Sequence, residues 1–199
     1  MKKFIFFIIV LSLSMKASIL TAYSSDPKLF VEELVSDAIN KLSNKSLTYE
    51  EKASFVESIA LENVDINALG LYTLGEIRKT TSKEDLTRFQ KTFEKYFLKS
   101  LTSRLTDYSS NKIEILSAEI KNSNYTIVKS KIVESAKQPE IKIDWRIYTK
   151  NPEKPLIRDL IVEGLSLART QKEEFSSILS SNNNDINILI LKLDEFLKK

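Results

Sequence analysis

Hydrophobic positions along this chain change their spacing twice. From Phe30 to Leu105 they recur every three or four residues, from Ile113 to Val162 mostly every second residue, and from Ala168 to Leu197 at helical spacing again. Asp26-Pro27 opens the first helical stretch, Asp as cap and Pro in the first turn. Phe30, Leu34, Ala38 and Leu42 share one face of it, with Val31 and Val35 beside them. Thr48 followed by Glu51 is a capping box for a second helix, whose apolar face is Ala53, Val56, Ile59 and Ala60. A shorter third helix carries Ile66, Leu69, Leu71 and Leu74 up to Gly75. Ser82 with Asp85 opens the longest one, along which Leu86, Phe89, Phe93, Phe97, Leu101, Leu105 and Tyr108 form an aromatic-rich stripe. Such a stripe taken alone reads as core packing.

The alternating region reads as strands. Ile113 to Ile120 and Tyr125 to Val133 are joined at Asn122-Ser123-Asn124, a short polar hairpin turn. Ile141, Ile143, Trp145 and Ile147 alternate with Lys142, Asp144, Arg146 and Tyr148, so one face of this strand is buried. Asn151-Pro152-Glu153-Lys154-Pro155 cannot continue a ladder and is a turn. Leu156 to Glu163 is the next strand; Gly164 lets the chain bend, and Ser166 caps a helix starting near Ala168. Helices Ala168–Leu179 and Ile186–Leu197 close the chain. Short connections make the strands mostly antiparallel, and the order of elements gives an α+β fold with helices packed on a face of one sheet.

Composition narrows the chemistry. The 199 residues suffice for one domain with a sizeable core. There is no Cys and no His, which removes thiol nucleophiles, zinc sites of the usual kind and any triad with an imidazole base. The net charge of +3 is carried by Lys2, Lys3 and Lys16, so the rest of the chain is balanced and shows no nucleic-acid footprint. Those lysines belong to a leader. Lys2-Lys3 precedes the apolar run Phe4 to Leu11, which is too short to span a bilayer, and small residues follow. The expectation is a signal peptide over residues 1–24, cut after Ala17, Ala22 or Ser24, and a single domain over 25–199 in an exported protein.

Several segments together resemble the MlaC family of periplasmic phospholipid-binding proteins, also called the toluene-tolerance family. They are Asp144-Trp145-Arg146, the run Ile157 to Leu167, then Gln171 and Phe175. Leu74 to Arg78 with Thr81 and Phe89, Phe93 to Leu98, and Arg104 to Tyr108 fit the family's long-helix region. Asn184 to Ile190 stands where the family has a glycine-containing turn and a closing helix; asparagine also tolerates positive φ. Leu156 stands where an aromatic is common.

The resemblance implies a curved sheet of four or five strands, a cone like that of nuclear transport factor, wrapped by about six helices around an apolar cavity. It implies a carrier of phospholipid that works in the periplasm, needs no cofactor or metal, and has no catalytic residues. Its partners would be an outer-membrane lipoprotein–porin complex and an inner-membrane ABC transporter with a ring-forming lipid-binding protein, in a system that maintains outer-membrane lipid asymmetry. Expected cavity walls are Phe89, Phe93, Phe97, Leu101, Leu105, Trp145 and Ile147, with Arg104 or Arg146 as the phosphate donor at the rim. Two rivals stand beside this reading. Cone-shaped folds also host isomerases with a carboxylate base and a tyrosine donor, roles open to Asp144, Asp159, Tyr96 and Tyr108. Against that, Asp144 alternates away from Trp145 and Asp159 follows Arg158, so pairing with basic neighbours is the plainer role for both. The second rival is an interaction module with a filled core.

Overall fold

The computed structural model describes residues 22–106, 112–134 and 139–199. Tyr108 and most of the expected signal segment lie outside them. Six α-helices and five strands follow in the order α1 (Pro27–Leu42), α2 (Tyr49–Asn63), α3 (Ile66–Thr73), α4 (Lys83–Leu105), β1 (Ile113–Asn122), β2 (Tyr125–Ile132), β3 (Ile141–Tyr148), β4 (Leu156–Val162), β5 (Leu165–Ser166), α5 (Leu167–Ser180) and α6 (Ile186–Leu197). A 3₁₀ turn, Gly75–Lys79, joins α3 to the segment before α4.

The helix starts are where the polar side chains dictate. The Asp26 carboxylate accepts from the N–H groups of Lys28 and Leu29 at 3.0 and 2.9 Å. Thr48 and Glu51 exchange both bonds of a capping box, and Ser82 and Ser166 accept from Asp85 and Arg169. Each cap satisfies otherwise orphaned donors and contributes about 1 kcal/mol. Between α5 and α6, Asn183 and Asn184 both take positive φ, doing what a glycine does in such a turn.

The strands form one open antiparallel sheet in chain order, β1-β2-β3-β4-β5. Strand β5 has only two residues, too few for any period to reveal. It exists because Glu163 (φ 48°) and Gly164 (φ 82°) both adopt the left-handed conformation and reverse the chain at once. Glu163 is held there by the strand beside it: its N–H donates to the Lys142 carbonyl, and its carboxylate accepts from the Lys142 N–H. In the register, Trp145 lies between Val128 and Leu160, and Ile143 between Ser130 and Val162, so these residues share the inner face. The buried indole N–H of Trp145 donates to Ser130 Oγ at 2.9 Å, and the Ser130 hydroxyl donates to the Ile143 carbonyl.

Two solid cores result. One is helical and includes Leu74, Phe89, Phe93, Phe175 and Leu189 from α3 to α6. The other joins α1 to the inner face of the sheet through Phe30, Val31, Leu34, Val128, Trp145 and Ile147. In the first, α3 approaches α4 through Gly70, where a Cβ would come within 2.8 Å of the Phe93 ring.

Packing begins ahead of the start expected at residue 25. The Tyr23 ring meets Phe30 edge-on at 6.2 Å, its hydroxyl donates to Asp37 Oδ2 at 2.9 Å, and the Ser24 N–H donates to Glu33. Burial, then the bond to Asp37 and its charge, hold the Tyr23 phenol far above the usual tyrosine range. A raised folded-state pKa means that folding favours the protonated phenol. The stability it contributes is therefore complete below the ordinary tyrosine value of about 10 and is lost as pH rises beyond it. Urea unfolding should show level stability from about pH 7 to about pH 9 and a decline above about pH 10. Tyr23→Phe should make that alkaline decline shallower; an equally steep decline in the variant would show that this contact is not its source.

Candidate functional site

The two cores share Val64 but leave a space elsewhere. Between them lies a cavity of about 540 Å³, enclosed by the inner face of the sheet, α1, α2, the second half of α4 and the first half of α5. Its floor is Ile113, Ile143, Trp145, Ile157, Leu160 and Val162. Alternation turns Leu160 and Val162 inward, and the irregularity in the β3–β4 ladder between Arg146 and Ile147 brings Ile157 to the same side. Leu34, Ala38 and Leu42 of α1 and Phe55, Ile59 and Ala60 of α2 line it at helical spacing. Helix α4 contributes Phe93, Phe97, Leu101 and Leu105.

One edge of the lining is polar. Tyr96, Ser100 and Arg104 come from α4, and Thr170, Gln171 and Glu174 from α5. The Tyr96 hydroxyl donates to Gln171 Oε1 at 3.1 Å, and Gln171 Nε2 donates to Glu174 Oε2 at 2.9 Å. Burial, together with the Glu174 charge, raises the Tyr96 pKa above its ordinary value.

The stripe on α4 thus divides. Phe89 and Phe93 are 0% and 1% exposed in solid core, whereas Phe97, Leu101 and Leu105 are half-buried because they face open space. Of the expected wall residues, Phe93, Phe97, Leu101, Leu105 and Trp145 line the cavity; Phe89 and Ile147 do not. Both of those are fully buried among other side chains.

The two candidate arginines separate in the same way. Arg104 stands on the cavity's polar edge, while Arg146 points to the other face of the sheet and pairs with Asp159 at 3.5 Å. The walls from α1, α2 and α5 are not among the site residues expected from sequence. The signal for α1 and α2 was their apolar faces, which look the same whether they cover a core or a cavity.

Of the groups proposed for an isomerase, Tyr96 and Asp159 both line the cavity, while Asp144 does not. Asp159 is 3% exposed and already engaged: it accepts from the Ser166 hydroxyl at 2.6 Å, from the Ala168 N–H at 3.0 Å, and pairs with Arg146. It fastens β4 to the first turn of α5. Asp144 lies half-buried on the outer face, opposite Lys129 and Ile161, and forms no ion pair among the described residues. The pairing expected of both aspartates is found for Asp159.

Comparison with known proteins agrees with this geometry. The profile of the family described as MlaC protein matches residues 32–195. The intermembrane phospholipid transport system binding protein MlaC of Haemophilus influenzae is 28% identical over 145 residues, covering 71% of this chain and 66% of that protein, just under two thirds. The phospholipid-binding protein of Ralstonia solanacearum, solved in complex with a phospholipid, shares the fold with a TM-score of 0.70 at 17% identity. That match covers 85% of this chain and 97% of that one.

The contrast between the aspartates can be measured. Asp159→Asn leaves an amide where Ser166 and Arg146 both need an acceptor, and should cost about 1–3 kcal/mol in urea unfolding. Asp144→Asn should stay within about 0.5 kcal/mol of the parent protein. Equal losses would mean that Asp159 does not carry the β4–α5 junction.

Proposed function

The chain belongs to the MlaC family, and from that premise we propose that it is a phospholipid carrier: a binding protein, not an enzyme, that holds acyl tails in the cavity and the headgroup at its polar edge. The observation that carries this reading is an apolar space with one polar side. Phe97, Leu101 and Leu105 turn apolar surface into it, and Ser100, Arg104, Thr170, Gln171 and Glu174 border it. Moving acyl chains out of water gains about 0.8 kcal/mol per buried CH₂, so a carrier needs a dry, shielded volume and no reactive group. A cavity of about 540 Å³ is within the usual range of ligand sites.

The names of the relatives support the lipid class: one is called a phospholipid transport system binding protein and the other was solved with phospholipid bound. The same reading places the protein in the periplasm after removal of its leader. There it would pass lipid between an outer-membrane lipoprotein–porin complex and an inner-membrane ABC transporter with its ring-forming partner.

Protein purified from periplasm without detergent should release phospholipid on organic extraction; lipid-free material would contradict the proposal. Substitutions along α4 give a second test, made on delipidated protein because a bound ligand stabilises the native state by mass action. Phe89→Ala opens a void in solid core and should cost about 3–5 kcal/mol. Phe97→Ala only enlarges an existing space and should cost clearly less. Phe97→Asp should stay folded yet lose bound lipid, since a charge in the wall wets the cavity. If Phe97→Ala costs as much as Phe89→Ala, Phe97 is core and not wall.

A further inference from the structure

We propose that the mouth of the cavity selects a zwitterionic headgroup, one that carries both a phosphate and a terminal ammonium, with Arg104 reading the phosphate and Glu174 the ammonium. This deepens the carrier reading and rests on it. Among the described lining residues, Arg104 is the cation, and Asp159 and Glu174 are the acids. Asp159 is buried and already bound by Ser166, Ala168 and Arg146, so it offers nothing to a ligand. One positive and one negative group remain at the edge, the first on α4 and the second on α5. They form no direct ion pair, yet both charges act on the same point: at the Tyr96 hydroxyl Glu174 raises the pKa and Arg104 lowers it.

Two neighbouring cations are turned elsewhere. Lys99 donates to the Leu197 carbonyl at 2.9 Å, and Lys172 lies 5.4 Å from the centre of the Tyr72 ring. The Gln171 amide, bound to both Tyr96 and Glu174, steadies the acidic lip.

A guanidinium suits a phosphate because its planar fork can donate two bonds at once. A carboxylate accepts from an ammonium but repels a headgroup whose only charge is the phosphate, because the repulsion offsets what Arg104 gains. Both side chains are exposed, so each interaction is modest and the outcome is a preference rather than exclusion.

The test incubates delipidated protein with vesicles of equimolar phosphatidylethanolamine and phosphatidylglycerol, then weighs the re-isolated complexes by native mass spectrometry. Wild-type protein should carry about two- to fivefold more phosphatidylethanolamine, and Glu174→Gln should bring the ratio to about one. Glu174→Arg should favour phosphatidylglycerol, and Arg104→Gln should lower the recovery of both lipids. Added salt should shrink the wild-type preference without any substitution, since the screening length falls from about 10 Å at 0.1 M to about 3 Å at 1 M. Equal loading by the wild type, or an unchanged ratio in Glu174→Gln, overturns the headgroup assignment and leaves the carrier reading standing. Protein that takes neither lipid overturns both.

Discussion

An apolar space can persist inside a protein only if its walls are kept from closing on one another. Here no packing across the cavity does that work, so the walls are held at their edges by polar ties. Asp159 fixes β4 to the first turn of α5. One residue earlier in β4, Arg158 donates from Nε and Nη2 to Asp65 at 2.8 and 2.6 Å, and Asp65 also caps α3 through the Ala68 N–H. Arg158 also donates to the Tyr125 hydroxyl and lies over the Tyr148 ring at 3.4 Å. Such directional contacts fix the angle between helix and sheet, which the non-directional hydrophobic effect cannot do.

The two solid cores serve the same end by different means. The helical core clamps α4 through Phe89 and Phe93, and the sheet core fastens α1 to the strands, leaving the cavity between them. Gly70 matters because it lets α3 sit against Phe93 and makes that clamp tight. The open half of α4 is then free to present Phe97, Leu101 and Leu105 to something other than protein.

Much of this was legible in the residues. The caps at Asp26, Thr48, Ser82 and Ser166 fixed the helix starts, and period-two alternation fixed the inner face of β3. Alternation also held the answer for Arg146, which sits between two inward residues and so had to point outward; Arg104 had no such marker. The division of the α4 stripe was not legible, since Phe93 and Phe97 are equally apolar and one turn apart. Whether such a side chain meets another side chain or open space is decided by α3, α5 and α6, far away in sequence. Strand β5 was hidden for a related reason: it depends on a left-handed Glu163, and glutamate gives no warning of that conformation. The polar edge on α5 was hidden because Thr170, Gln171 and Glu174 look like any solvated helix face.

The cavity also gives the protein a mechanical property. Unfolding abolishes internal voids, so the total volume of protein and water falls, and hydrostatic pressure favours whichever state is smaller. With its space empty, this fold is bulky for its mass and yields to compression. Whatever fills the space removes that excess volume, so the occupied protein is the stiffer and more pressure-resistant form.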